Sequence, residues 1–198
     1  MKNTLKIFFA VAVCVLFGEK AISQTTAPDK KATQIAELKR IVDGKNYIFK
    51  ATTAMPTTSA GVQVSGNIGG PNSVLNQLNS GMINLTGSYD VSLKNDSLSV
   101  FLPYYGTAFS APINPTEGGI KLNTTKFDYN VAQKKKGSLQ ITFKPQKLET
   151  RSPADVYRMI LSVSPGGYAT LQVISVNRMP ITFNGMVEEI KPQEAKKS

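Results

Sequence analysis

The chain has 198 residues, with 23 lysines and arginines against 13 aspartates and glutamates, and a formal net charge of +10. It contains no histidine, no tryptophan and a single cysteine, Cys14. A catalytic imidazole and a Cys/His zinc site are thereby excluded, and with them Ser-His-Asp hydrolases and Cys-His proteases.

Residues 1–23 carry the three regions of a cleavable secretory signal in order. Lys2 and Lys6 supply the positive start, residues 7–17 form an unbroken apolar run, and Ala21 and Ser23 put small side chains where a signal peptidase reads them. The run falls short of the roughly 20 apolar residues that a membrane span needs. Cleavage before Gln24 is therefore expected, with an uncleaved anchor as the alternative. Val13 stands where lipidation of Cys14 would want Gly or Ala, so Cys14 leaves with the signal. The mature chain then has neither thiol nor imidazole, and no disulfide, although its compartment permits one. Losing Lys2, Lys6, Lys20 and Glu19 takes the charge from +10 to +8. Once exported, such a chain does not meet nucleic acid. Its basic excess, concentrated in Lys134, Lys135, Lys136 and the tail 191–198, points to an anionic envelope component or to plain solvation.

Residues 24–30 read as a flexible leader, and 31–190 as one domain. Ile35, Leu38, Ile41 and Val42 lie at spacings of three and four, which predicts an amphipathic helix over 31–42. Asp29 is its expected N-cap and Gly44 its stop. From Asn46 the period changes to two. Strands are expected over 47–52 and 61–65, followed by a long Gly-, Asn- and Ser-rich loop over 66–87. Tyr89, Val91 and Leu93 alternate, and Asn95-Asp96 turns the chain into Leu98, Val100 and Leu102. Further strands are expected over 105–111, from Ile120, from Phe127 through Val131, from Leu139 through Phe143, and over 156–163, 168–176 and 181–187. About ten short strands without helical crossovers predict a mainly β fold: an antiparallel sandwich, barrel or half-barrel with one N-terminal amphipathic helix. That helix is expected to cover one end of the core.

Residues 102–109, Leu-Pro-Tyr-Tyr-Gly-Thr-Ala-Phe, resemble the LPY-x-G-x-A element of the DUF4251 family of exported Bacteroidetes proteins. Gly167-Tyr168-Ala169-Thr170-Leu171, the Asn177-Arg178 turn and Ile181-Thr182-Phe183-Asn184-Gly185 are similar to that family's C-terminal pattern. The likeness covers 39–189, with 66–81 as a variable loop. It implies secretion and a β-rich fold, and it implies no activity.

Candidate ligand-binding residues are Tyr104, Tyr105, Gly106 and Arg178. The rings offer stacking surface and hydroxyl handles, Gly106 permits close approach, and a guanidinium suits an anionic group. Each also has a structural reading: the rings pack in the core after Pro103, and Arg178 holds turn carbonyls or pairs with Asp128 or Asp155. The carboxylates Asp90, Asp96, Glu117, Asp128, Glu149 and Asp155 are scattered singly. They form no calcium loop and no evident catalytic pair, so no catalytic residue, metal site or cofactor is expected. These readings converge on an exported, non-enzymatic binding or structural module of the cell envelope, periplasmic or outer-membrane-associated. One alternative is a carrier of a hydrophobic or lipid ligand; another is a carboxylate-dependent polysaccharide enzyme.

Overall fold

A computed structural model describes residues 27–57, 81–109, 119–146 and 156–191. The export signal, the strand expected over 61–65, most of the 66–87 loop, Glu117, Glu149, Asp155 and the tail beyond Lys191 lie outside the described residues. The chain divides into a unit Met1–Ala32 and a unit Thr33–Ser198, and the β-sheet belongs wholly to the second. No helix among the described residues is long and apolar enough to cross a membrane.

One helix, α1 (Ala27–Asp43), precedes ten strands: β1 (Tyr47–Pro56), β2 (Ile83–Asn84), β3 (Asp90–Lys94), β4 (Ser97–Leu102), β5 (Ile120–Thr124), β6 (Phe127–Gln133), β7 (Leu139–Pro145), β8 (Val156–Val163), β9 (Tyr168–Ser175) and β10 (Ile181–Glu189). They form a single antiparallel sheet in the order β5-β4-β3-β1-β10-β9-β8-β7-β6, with β2 beside β1. The outermost strands, β5 and β6, are consecutive in the chain, joined only by Thr125 and Lys126. A link that short spans at most about 11 Å from Thr124 to Phe127. The sheet's two edges must therefore come together at this point, which curls the sheet into a nearly closed barrel.

The alternation read from the sequence is the alternation of the wall. Phe49, Leu93, Leu98, Ile141, Phe143, Leu161, Leu171 and Phe183 all point inward and are buried to within 1%. Their neighbours face solvent, as the two-residue period requires. The Tyr129 ring packs 5.5 Å from Phe143 on the neighbouring strand, and its hydroxyl lies 3.2 Å from that of Tyr47 on β1, a strand distant in the sheet. Val131 is the exception, exposed although it continues the Phe127–Tyr129 face, because β6 is an edge strand with nothing beyond it.

Strand β1 changes partner part-way. It pairs with β3 over Tyr47 to Lys50 and with β2 at Thr53 and Ala54. Thr52 sits at the irregularity between them, where the register to β10 slips from Ala51↔Gly185 to Thr53↔Asn184. This bulge re-aims the strand, and its carbonyl accepts the Leu85 N–H at 2.9 Å. The short β2 thus falls inside the stretch expected to be loop. Its two residues carry too little pattern to be seen in isolation.

Helix α1 starts earlier than expected, so Asp29 lies inside it rather than capping it. Its face is as anticipated: Leu38 and Val42 are buried and Ile41 packs on the core. The left-handed residue of its C-terminal stop is Lys45 (φ 47), not Gly44. The β3–β4 hairpin turns on Asn95 (φ 50) and Asp96 (φ 57), both left-handed, as a two-residue hairpin demands. Ile35 of the helix rests on the β6–β7 turn at Gly137, where φ is +82 and a Cβ would overlap the Ile35 side chain. Gly137→Ala is therefore expected to cost about 1–3 kcal/mol, from left-handed strain plus overpacking. Adding Ile35→Ala should recover the packing part, so the two substitutions should be non-additive in urea titrations.

Candidate functional site

At the end of the barrel away from α1, the chain leaves β4 through Pro103-Tyr104-Tyr105-Gly106-Thr107 and does not continue as the expected strand. Only Ala108 makes a bridge, and its partner is Arg178. Two backbone bonds reinforce it: Phe109 N–H donates to Asn177 O at 2.8 Å, and Met179 N–H to Thr107 O at 3.0 Å. The two segments singled out in the sequence thus meet in space, and side chains hold them together. The Tyr104 hydroxyl lies 2.8 Å from Thr107 O and 3.0 Å from Met179 O. Arg178 lays its guanidinium over the Tyr104 ring, 5.1 Å from the centroid, and donates from Nη1 to Gly119 O at 3.1 Å. Gly106 has to be glycine because a Cβ would stand 2.6 Å from the Tyr104 hydroxyl. Burial raises the Tyr104 phenol above its ordinary range, with the Arg178 charge and the Met179 carbonyl acting against it. Tyr105 packs against the core, and its phenol is also raised by burial.

This constellation is a clamp. The tyrosine hydroxyl and one arm of the arginine are spent on backbone carbonyls, which fixes the β4 exit against the β9–β10 turn. Three of the four predicted residues are brought together, while Tyr105, like Tyr104 half-buried against the core, takes no part in these hydrogen bonds.

Elsewhere, charge is sorted between two sides of the barrel. Arg40 forks onto Glu189 at 3.0 and 2.6 Å and onto Glu37 at 3.1 and 2.8 Å. Those hydrogen bonds hold both carboxyls below the usual range. Lys45 pairs with Asp96 and Lys50 with Glu188. Four acids around α1, β1 and β10, Glu37, Asp96, Glu188 and Glu189, are thus paired. Strands β6 to β8 differ. Exposed Lys126, Lys134, Lys135, Lys136, Lys144 and Arg158 line this edge, and Asp128 is the acid described among them. Tyr157 lies between Lys144 and Arg158, whose charged ends are 5.8 and 5.9 Å from its ring centre. Sequence reading saw only the Lys134–Lys136 run. Register places Lys144 and Arg158 near one another at the far end of the same strands, beside Lys126, a grouping that no local signal reveals.

Among the described residues no three acidic side chains converge as a metal site would require. A family model described as a domain of unknown function, DUF4251, matches residues 29–187. The chain belongs to the DUF4251 family. A solved DUF4251 family protein from Bacteroides eggerthii DSM 20697 is similar at 13% identity and a TM-score of 0.47, over 80% of this chain and 89% of that one. No curated protein matches the chain. The DUF4251 elements quoted from the sequence have structural duties here. Tyr104, Gly106 and Arg178 build the clamp, and Gly185 lets β10 close against β1.

Proposed function

We propose that this DUF4251 protein is exported and works in the cell envelope as a non-enzymatic module that binds an anionic component through its β6–β8 edge. The distribution of charge carries the reading: Glu37, Glu188 and Glu189 are paired around α1 and β10, whereas the lysines of β6 to β8 face solvent with a single described acid among them. Export is supported by the tripartite N-terminal segment, and the absence of histidine removes the commonest acid–base catalyst. A carrier with a hollow core is not favoured, because the Tyr47 side chain of β1 and the Tyr129 side chain of β6, on strands that are not neighbours in the sheet, meet inside the barrel.

Phosphate or carboxylate groups are the chemistry such an edge recognises, and two probes present them: vesicles containing an anionic phospholipid, and polygalacturonate. At least one should be bound, with affinity that falls steeply as NaCl rises from about 0.05 to 0.5 M, since the contacts are exposed and screened. Replacing Lys134, Lys135 and Lys136 together by Gln should weaken binding about tenfold or more. Salt-insensitive binding, binding unchanged by the triple substitution, or saturable hydrolysis of an ester, peptide or glycoside would each contradict the proposal.

A further inference from the structure

On the outer face of the sheet, away from the clamp, lies an open trough of about 610 Å³ that runs from Met186 of β10 to Ser162 of β8 and Ser138 of the β6–β7 turn. Strand register builds it. Asn184, Thr170 and Ser162 are direct neighbours across β10, β9 and β8, with Thr53 of β1 opposite Asn184. These small side chains leave a depression, and the next row supplies its wall: Tyr168, 69% exposed, beside Met186. The polar row is pre-oriented. The Thr170 hydroxyl donates to Asn184 Oδ1 at 3.1 Å, and Asn184 Nδ2 donates to Thr53 Oγ1 at 3.4 Å. The amide is thereby fixed in one orientation, and the Thr170 hydroxyl, which lines the trough, keeps its lone pairs for an incoming group.

We infer that this trough is a carbohydrate-binding site for neutral sugar residues. No charged side chain lines it, so an ionic ligand would be desolvated there without a partner. A hydroxyl-rich neutral ligand meets what the surface offers: a row of paired donors and acceptors along the floor, and a tyrosine face at the side for the apolar face of a pyranose ring. The volume lies within the range of small-ligand sites, ~300–1,000 Å³. The clamp takes no part, and the trough touches the β6–β8 region only through uncharged residues such as Ser138 and Ser162, so the inference does not rest on the basic side chains of the proposed function.

The test is amide chemical-shift mapping of the intact protein titrated with maltohexaose, cellohexaose, xylohexaose and the hexamer of N-acetylglucosamine. At least one should shift resonances around Ser162, Tyr168 to Thr170 and Asn184 to Met186, without sensitivity to NaCl. Tyr168→Ala should weaken that binding about tenfold. Tyr168→Leu keeps apolar bulk without a flat ring and should weaken it comparably. Because Tyr168 is exposed, both variants should fold as the parent does. No shift with any of the four sugars, shifts confined to other surfaces, or undiminished binding in the Tyr168 variants would overturn the inference.

Discussion

Gly185→Ala should destabilise the protein by about 3 kcal/mol or more, at the upper end of what overpacking costs. Gly185 faces inward on β10 opposite Ala51, just where the β1 bulge begins. A Cβ built there drives into the Lys50 carbonyl oxygen and stands 3.0 Å from the Phe49 ring. Neither obstacle is a flexible side-chain end. The first is backbone committed to the sheet, and the second is a ring with no exposed surface. Relief would require β1 and β10 to separate, and this pair holds the two halves of the sheet together. Thermal unfolding should shift down by roughly 6–12 °C. Gly166→Ala is the control. Its Cβ would meet only the Tyr168 ring at ordinary contact distances of 3.6 and 3.9 Å, so its effect should stay within about 0.5 kcal/mol. Equal effects at the two positions would show that β10 does not approach β1 as described.

Alkaline unfolding should be steep and should depend on Tyr47. Its hydroxyl is 3.2 Å from that of Tyr129, whose own proton points to Val42 O at 3.3 Å. A carbonyl only accepts, so Tyr129 donates to Val42 and Tyr47 donates to Tyr129. The result is a relay from the barrel wall to the C-terminal turn of α1. Burial, reinforced by the Tyr129 neighbour, raises the Tyr47 phenol far above its ordinary value of 10.0. Burial likewise raises Tyr129. The unfolded chain therefore ionises first. Stability held by the neutral phenol is fully present below pH about 10 and is lost progressively as pH rises toward the folded-state value, by up to about 1.4 kcal/mol per pH unit for Tyr47. Urea titrations between pH 9 and about 12 should show this slope, and Tyr47→Phe should flatten it while costing about 1 kcal/mol at neutral pH. An unchanged slope in Tyr47→Phe would mean that the buried phenol is not the group responsible.

Much of the fold is local and therefore readable in the sequence. Period-two alternation marks Leu139, Ile141 and Phe143 as wall residues whatever lies opposite, and Asn95-Asp96 carries its own turn chemistry. What escapes is non-local. Curling of the sheet follows from the two-residue link between β5 and β6 only once those strands are known to sit at opposite edges. The 105–111 stretch has strand-like composition, yet over its described residues 105–109 the Tyr104 hydroxyl and Arg178 hold the chain in a clamp. The helix ends at Asp43 with Gly44 next, as expected, but the left-handed conformation falls on Lys45, which residue type does not announce. Among the candidate site residues, Tyr104 and Gly106 on one segment and Arg178 on another are read separately in the sequence, and only the fold brings them together. Their polar atoms prove to serve the backbone. The basic edge and the outer trough depend on cross-strand register, which assembles residues far apart in the chain.

The most direct measurement of where this protein meets its partner is amide chemical-shift mapping during titration with polygalacturonate or anionic vesicles, whichever binds. If the β6–β8 edge is the binding surface, perturbations will concentrate at Lys126, Lys134 to Lys136, Lys144 and Arg158 and will disappear in high salt. Perturbations centred instead on Tyr104 and Arg178, with the β6–β8 edge silent, would contradict it.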